Sequence, residues 1–161
     1  MSQDLKDLCP AASSGADITS AGQLRGKTLV VGNGVDAPVI ALSVKMIGGA
    51  AASGETLIWD TSKTDGVSVK GNAGADQVAV AGVALESIAS GSYGKMAIAG
   101  LATVKVNGNT TNIAAGDRLS TGTVALRADK VATAAPGGVL GIALEAATTA
   151  NKSILCMVKL A

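Results

Sequence analysis

The residues of this chain best spaced for chemistry are Gly32-Asn33-Gly34-Val35-Asp36-Ala37, which fit G-x-G-x-x-A after an apolar strand. In a dinucleotide site such glycines let the backbone approach a pyrophosphate. An acid ending the next strand, here Asp60 after Leu57-Ile58-Trp59, then bonds the ribose. The plainer reading makes Asn33-Gly34 a hairpin turn and Asp60 a strand end. It is favoured, because the intervening helix would lack a polar face and no further βαβ unit follows. A second candidate is the pair Glu86 and Glu145, since two carboxylates can share acid and base work on a glycoside. Sugar clefts usually present aromatics, however, and this chain has only Trp59 and Tyr93. The plainer reading is that each glutamate ends a strand and meets solvent or a nearby lysine.

The chain contains no histidine. That removes Ser-His-Asp triads, Cys-His pairs, histidine bases and most zinc sites together. Cys9 and Cys156 lie at opposite ends, and neither has an evident activating neighbour. Cys156 falls within an apolar strand pattern, where a free cysteine behaves as a small hydrophobe. Cys9 precedes Pro10 in an arm, which disfavours a disulfide between the two. The chain is not expected to be an enzyme, and no cofactor or metal is expected.

The elements that would position these residues are organised by a duplication. Residues 54–106 open Gly54-Glu55-Thr56-Leu57 and reach Gly82-Val83-Ala84-Leu85-Glu86; residues 116–161 open Gly116-Asp117-Arg118-Leu119 and reach Gly141-Ile142-Ala143-Leu144-Glu145. The offset is 62 residues at the first signature and 59 at the second, so alignment needs a three-residue gap. A duplicated unit without duplicated chemistry points to architecture before catalysis. Two copies are too few for a solenoid, so one domain with internal pseudo-symmetry is expected. We therefore read residues 26–161 as a β domain holding both copies, and residues 1–25 as an N-terminal arm.

Strand signals dominate the domain. Thr28–Val31 and Val39–Ile47 are β-branched, the latter also compatible with a helix between Pro38 and Gly48-Gly49. Leu57–Asp60, Val67–Lys70 and Gln77–Leu85 follow, separated by turn residues such as Asp65-Gly66. Lys95–Val106 places Met96, Ile98, Ala102, Val104 and Val106 on one face, with Lys95, Thr103 and Lys105 on the other. This is the clearest period-two pattern in the chain. In the second copy Val124–Ala128, Val139–Leu144 and Ile154–Leu160 are expected strands. The 21 glycines of 161 residues, about twice average usage, serve tight turns. The fold class is all-β, a small barrel or sandwich.

Composition narrows the partners. Net charge is +1 and the basic residues are scattered, so neither the clustered cations nor the stacking aromatics of a nucleic-acid site are present. The best apolar run, Val39–Ile47, is broken by Lys45 and is too short to span a bilayer. The first seven residues lack the pattern of a signal peptide, and a soluble, cytosolically made protein is expected. The core is mostly Ala, Val, Leu and Ile without Phe. It is thin, and burial against a partner subunit is expected to supplement it. In the arm, Leu5, Leu8 and Ile18 are the apolar residues available to anchor it in a groove or on an open sheet edge.

The order and spacing of these motifs resemble the phage capsid cement, or head decoration, proteins. The likeness lies in Gly82–Glu86, Ala89-Ser90-Gly91-Ser92, the strand Lys95–Val106, Ala115-Gly116-Asp117-Arg118-Leu119 and Gly141–Glu145. Leu57-Ile58-Trp59-Asp60 with Thr64-Asp65-Gly66 is also faintly similar to the lambda-type decoration proteins. The resemblance implies a β-rich protein on the outside of an icosahedral shell. It further implies a homotrimer that contacts the major capsid protein and bridges neighbouring capsomers. It carries over no catalytic residues and covers neither the arm nor residues before 54. Two alternatives stay open: a small β-barrel nucleotide- or ligand-binding domain using Gly32–Ala37, and another virion part such as a head-fibre base or tail-tube subunit.

Overall fold

The computed structural model describes residues 29–30, 39–74, 79–109, 111–132, 138–149 and 152–159. Among them are ten strands: β1 (Leu29–Val30), β2 (Val39–Met46), β3 (Thr56–Trp59), β4 (Ser68–Gly71), β5 (Val80–Ala84), β6 (Tyr93–Val106), β7 (Arg118–Thr121), β8 (Ala128–Lys130), β9 (Val139–Ala143) and β10 (Lys152–Lys159). The fold is all-β, and the pairings resolve into two rings. The first runs β2-β4-β3-β5-β6 and closes where β6 returns to β2. The second runs β6-β10-β9-β7-β8 and closes where β8 returns to β6. One strand, β6, therefore belongs to both. It is long enough at 14 residues to end one unit with its first half and begin the next with its second.

Closure depends on two short parallel contacts, Lys45↔Ser68 with Met46↔Val69 in the first ring and Val106↔Ala128 in the second. The antiparallel pairings also match. Val83 lies opposite Ala97 and Ala84 opposite Met96; in the second unit Ile142 lies opposite Met157 and Ala143 opposite Cys156. Leu42 faces Met96 as Ala102 faces Cys156. Each unit also has one isolated bridge, Ala51↔Ile88 and Ile113↔Ala147. The hydrogen-bonding repeat thus starts earlier than the sequence signature: β2 stands to the first ring as the second half of β6 stands to the second.

Local chemistry explains the signatures. Gly54 (φ 83°) and Gly116 (φ 93°) adopt a backbone that L side chains rarely reach. Their N–H groups donate to Ala84 and Ala143 carbonyls, both at 2.8 Å. The acid that follows completes the turn, since Glu55 Oε2 accepts from the Ala52 N–H at 2.8 Å and Asp117 Oδ2 from the Ala114 N–H at 2.7 Å. The duplicated Gly-acid pair is turn chemistry.

Each ring has its own core. Val44, Met46, Leu57, Val69, Ile88 and Met96 fill the first, with Trp59 and Leu126 packed against them. Val104, Val106, Ile113, Leu119, Leu140, Ile154, Cys156 and Val158 fill the second. All five residues of β5 are buried because its two faces serve different cores: Ala81 and Ala84 the first, Val80 and Val83 the second. In β10 burial alternates along the strand, with Ile154, Cys156 and Val158 buried and Leu155, Met157 and Lys159 exposed.

One expected strand is corrected. Val124–Ala128 forms mostly turn, and the strand begins only at Ala128, while Arg118–Thr121, not read as a strand, is β7. The apolar character of Val124 and Leu126 has another origin. Leu126 takes a positive φ of 64° and packs its side chain against Gly71 of the first unit. Its carbonyl accepts from the Thr56 N–H at 3.1 Å, and its own N–H donates to Asn72 O at 3.2 Å. Asn72 is itself buried, accepting from the Thr56 hydroxyl and donating to Gly122 O at 3.4 Å. This turn belongs to the second unit by sequence but serves to tie it to the first.

Candidate functional site

The carboxylates that sequence spacing singles out are occupied by the fold. Glu86 Oε1 accepts from the Lys95 N–H at 2.8 Å, and Glu145 Oε2 from the Leu155 N–H at 2.9 Å. Each follows the same backbone bond, Leu85 N–H to Lys95 O and Leu144 N–H to Leu155 O, both 2.9 Å. The two glutamates therefore extend the β5–β6 and β9–β10 ladders by one side-chain bond each. They do so within their own units.

An open depression of ≈ 340 Å³ is lined by Trp59, Asp60, Lys63, Asp65 and Ser68 among others. Its acids are likewise bound. Asp60 Oδ1 accepts from the Ser62 hydroxyl at 2.8 Å and lies 3.5 Å from Lys70 Nζ. Asp65 accepts from the Ser68 hydroxyl at 2.6 Å and from the Val67 and Ser68 N–H groups. The Ser62 hydroxyl bond chiefly holds the Asp60 carboxyl below its ordinary value, and the Ser68 hydroxyl does so for Asp65. For Asp117 the Ala114 N–H is the main cause, reinforced by Lys130 Nζ at 2.9 Å. Hydrogen bonds to the charged form lower a pKa.

A pH dependence follows. Folded-state values below the unfolded value of about 3.8–3.9 mean the stabilisation is complete above that range and lost as pH falls through the folded values. Urea midpoints should stay level from pH 7 to about 5 and decline below about 4. The Asp117→Asn variant should begin less stable and show a shallower acid decline. An unchanged acid slope in that variant would remove Asp117 from the account.

Burial raises the Cys156 thiol to about 11, so it remains a protonated core group. Among the described residues no cluster of three metal-ligating side chains occurs. Residues 32–37 and Cys9 lie outside the described residues, as do the arm residues Leu5, Leu8 and Ile18. The strands flanking the glycine motif pair directly and antiparallel, Leu29 with Ile40 and Val30 with Val39. A dinucleotide unit instead joins parallel strands through a helix.

What the structure brings together is apolar. On the outer face of β9–β10, Ile142 lies opposite Met157, and Leu144 beside Leu155; all four are exposed. On β2, Ile40 and Leu42 are exposed as well. The sequence carried a signal for the first group. In Ile154–Met157 both faces of the strand are apolar, a pattern of strands covered on both sides.

The architecture defines a class: an all-β chain of two fused five-stranded rings, with Glu55, Glu86, Asp117 and Glu145 spent on turns and ladders and exposed apolar residues on β2 and β9–β10. No protein-family model matches the sequence, and no curated protein matches it. Among solved structures the chain is similar to the head fiber gp8.5 N base of bacteriophage phi29. The likeness has a TM-score of 0.51 at 18% identity and covers 75% of this chain and 94% of that one. It bears on the fold.

Proposed function

We propose that this protein is a structural component of a phage virion, seated on the outer capsid surface as a homotrimer that bridges neighbouring capsomers. The observation that carries the reading is the fold: two fused β rings similar over most of their length to the head fiber base of phi29. Motif order resembling the cement proteins supports it from a separate direction. So does the use of the conspicuous acids as turn and ladder ties rather than as a reactive pair. The reading assigns no cofactor and no catalysis, and its partners are the major capsid protein and further copies of the chain.

The likeness to a head fiber base favours one variant of this reading, in which the protein is a fibre's foot instead of a cement. Purified protein added to capsids lacking it separates the two. A cement saturates many capsomer junctions and raises the temperature at which the shell ruptures. A fibre foot fills fewer sites and leaves rupture unchanged. Failure to co-sediment with the capsid of its own phage would overturn both.

The arm enters the same assay. Deleting residues 2–20 should leave the β domain folded by circular dichroism while weakening capsid binding about tenfold or more, as expected if apolar anchors are lost. Unchanged affinity would reduce the arm to a linker.

A further inference from the structure

The exposed apolar residues at the start of β2 and on β9–β10 belong to one face. On β6, Ala99 and Leu101 are two residues apart and share a side of the strand. Ala99 lies opposite Ile40 on one edge and opposite Lys159 on the other. Leu101 lies opposite Met157, which lies opposite Ile142. Thr103 and Leu155 make the next row, and Leu144 joins its end through its backbone bond to Leu155. The face therefore runs unbroken from Ile40 to Leu144, with Leu101 half-buried at its middle.

The duplication shows that such positions are made for cover. In the first unit the corresponding residues, Val83 and Ala97, are fully buried, and Leu85 packs with them against the core of the second ring. In the second unit Ile142 and Met157 are larger, yet each is 39% exposed. No strand edge is open here, since β10 is paired with β6 and β9, and β9 with β10 and β7. An occupant has to bring apolar side chains, because no ladder is left for a strand to join.

The chain carries such side chains next to this face. Leu29, the first described residue, lies opposite Ile40, in the cross-strand row of Ala99 and Lys159. Residues 1–28 precede it. From Leu29 back to Ile18 an extended chain reaches ~36 Å, whereas β9 lies three strand spacings from β2, about 14 Å. The first eight residues hold Leu5 and Leu8 with two aspartates to one lysine. At the rim of the face the exposed Lys159 has no ion pair among the described residues.

We propose that the chain's own N-terminal segment, residues 5–18, lies across this face in the free protein, with Leu5, Leu8 and Ile18 against Leu101, Met157 and Ile142. Burial of apolar surface stabilises the contact, and the backbone entropy of ordering the segment offsets most of the gain. Position, more than the unfolding midpoint, is therefore what reports it. The capsid assay above concerns the arm on a shell; this contact is that of the free chain.

A nitroxide coupled to the full chain goes to Cys9, because the buried Cys156 thiol stays protonated. A mass measurement confirms the single label. The methyl signals of Ile142, Leu155 and Met157 should fall severalfold relative to the reduced label, while those of Val69, on β4 away from β10, hold. Leu5→Ser and Leu8→Ser together should restore them. Met157→Glu should restore those of Ile142 and Leu155 by placing a charge in the contact. Met157→Ala serves if circular dichroism shows that variant unfolded. Mixing labelled chain with isotope-enriched, unlabelled chain reads contact between copies. Equal losses in that mixture mean that another copy's arm fills the face, and overturn the assignment. So do unaffected methyls, an equal loss at Val69, or losses that the arm and Met157 variants leave unchanged. Failure to bind capsid overturns the function proposed above and leaves this contact standing.

Discussion

Replacing Gly82 or Gly141 with alanine is expected to destabilise the fold by about 3 kcal/mol or more, a loss reserved for forced backbone clashes and severe overpacking. A Cβ at Gly82 would lie 2.1 Å from the Ala97 carbonyl oxygen, and one at Gly141 would lie 2.2 Å from that of Met157. Both obstacles are backbone in the neighbouring strand, so no side-chain rotation relieves them. The strands would have to part at the pairings that bind β5 to β6 and β9 to β10. Each glycine also sits beside a register shift, between Leu57 and Ile58 on β3 and between Leu119 and Ser120 on β7. Bulges of this kind bend a strand sharply, as closing a five-stranded ring requires. Gly49→Ala is the matched control: nothing lies within 4 Å of its Cβ position and its φ is not positive. It should change stability by less than about 0.5 kcal/mol. Urea unfolding of the three variants measures the contrast. A Gly82→Ala protein within that margin of wild type would mean the strands do not approach so closely.

The signatures were legible because they encode turns and close approaches, which only a few residue types satisfy. Gly54, Gly82, Gly116 and Gly141 each answer a backbone requirement, so the duplication could be read at those positions while the apolar residues between them drifted. The strand β6 was legible from period two, and Met96, Ala102, Val104 and Val106 are buried as that pattern implies. Its middle, Ile98–Leu101, is only partly buried. There Ala99 and Gly100 pair with β2 on one edge and β10 on the other, as the strand passes from one ring to the next. No periodicity announces a strand shared by two rings. Ring closure was equally hidden, since it rests on parallel contacts of one or two residue pairs between distant segments. The strand expected at Val124–Ala128 failed because Leu126 is apolar for a contact across the unit junction, and β propensity does not distinguish that from a ladder position. Glu86 and Glu145 drew notice as a possible reactive pair, and their shared task is one ladder bond each. The outer strip on β9–β10 was visible as apolar sequence, but its openness depends on which faces the rest of the chain covers.

Val83→Asp and Ile142→Asp alter equivalent positions of the repeat, yet their expected effects differ severalfold. Val83 is fully buried and packs in the cluster that contains Leu140, Ile154 and Val158 of the other unit. A carboxyl there loses the transfer energy of the valine. It must also stay protonated or charge without a partner, so a loss above about 4 kcal/mol is expected. Ile142 is 39% exposed, and an aspartate there can turn to water. Its cost to the isolated chain should stay within about 1 kcal/mol. The measurement is the denaturation midpoint of both variants at dilutions where the wild type is dissociated, so that association does not enter. Hydrogen exchange adds a second readout, because Val83 belongs by sequence to the first unit and by packing to the second. In the Val83→Asp chain the amides of β9 and β10 should lose protection together with those of β5. Protection retained in β9 and β10 alone would mean the two rings fold separately. Equal losses from the two substitutions would mean that the second unit does not cover the first as the packing of Val80, Val83 and Ala97 requires.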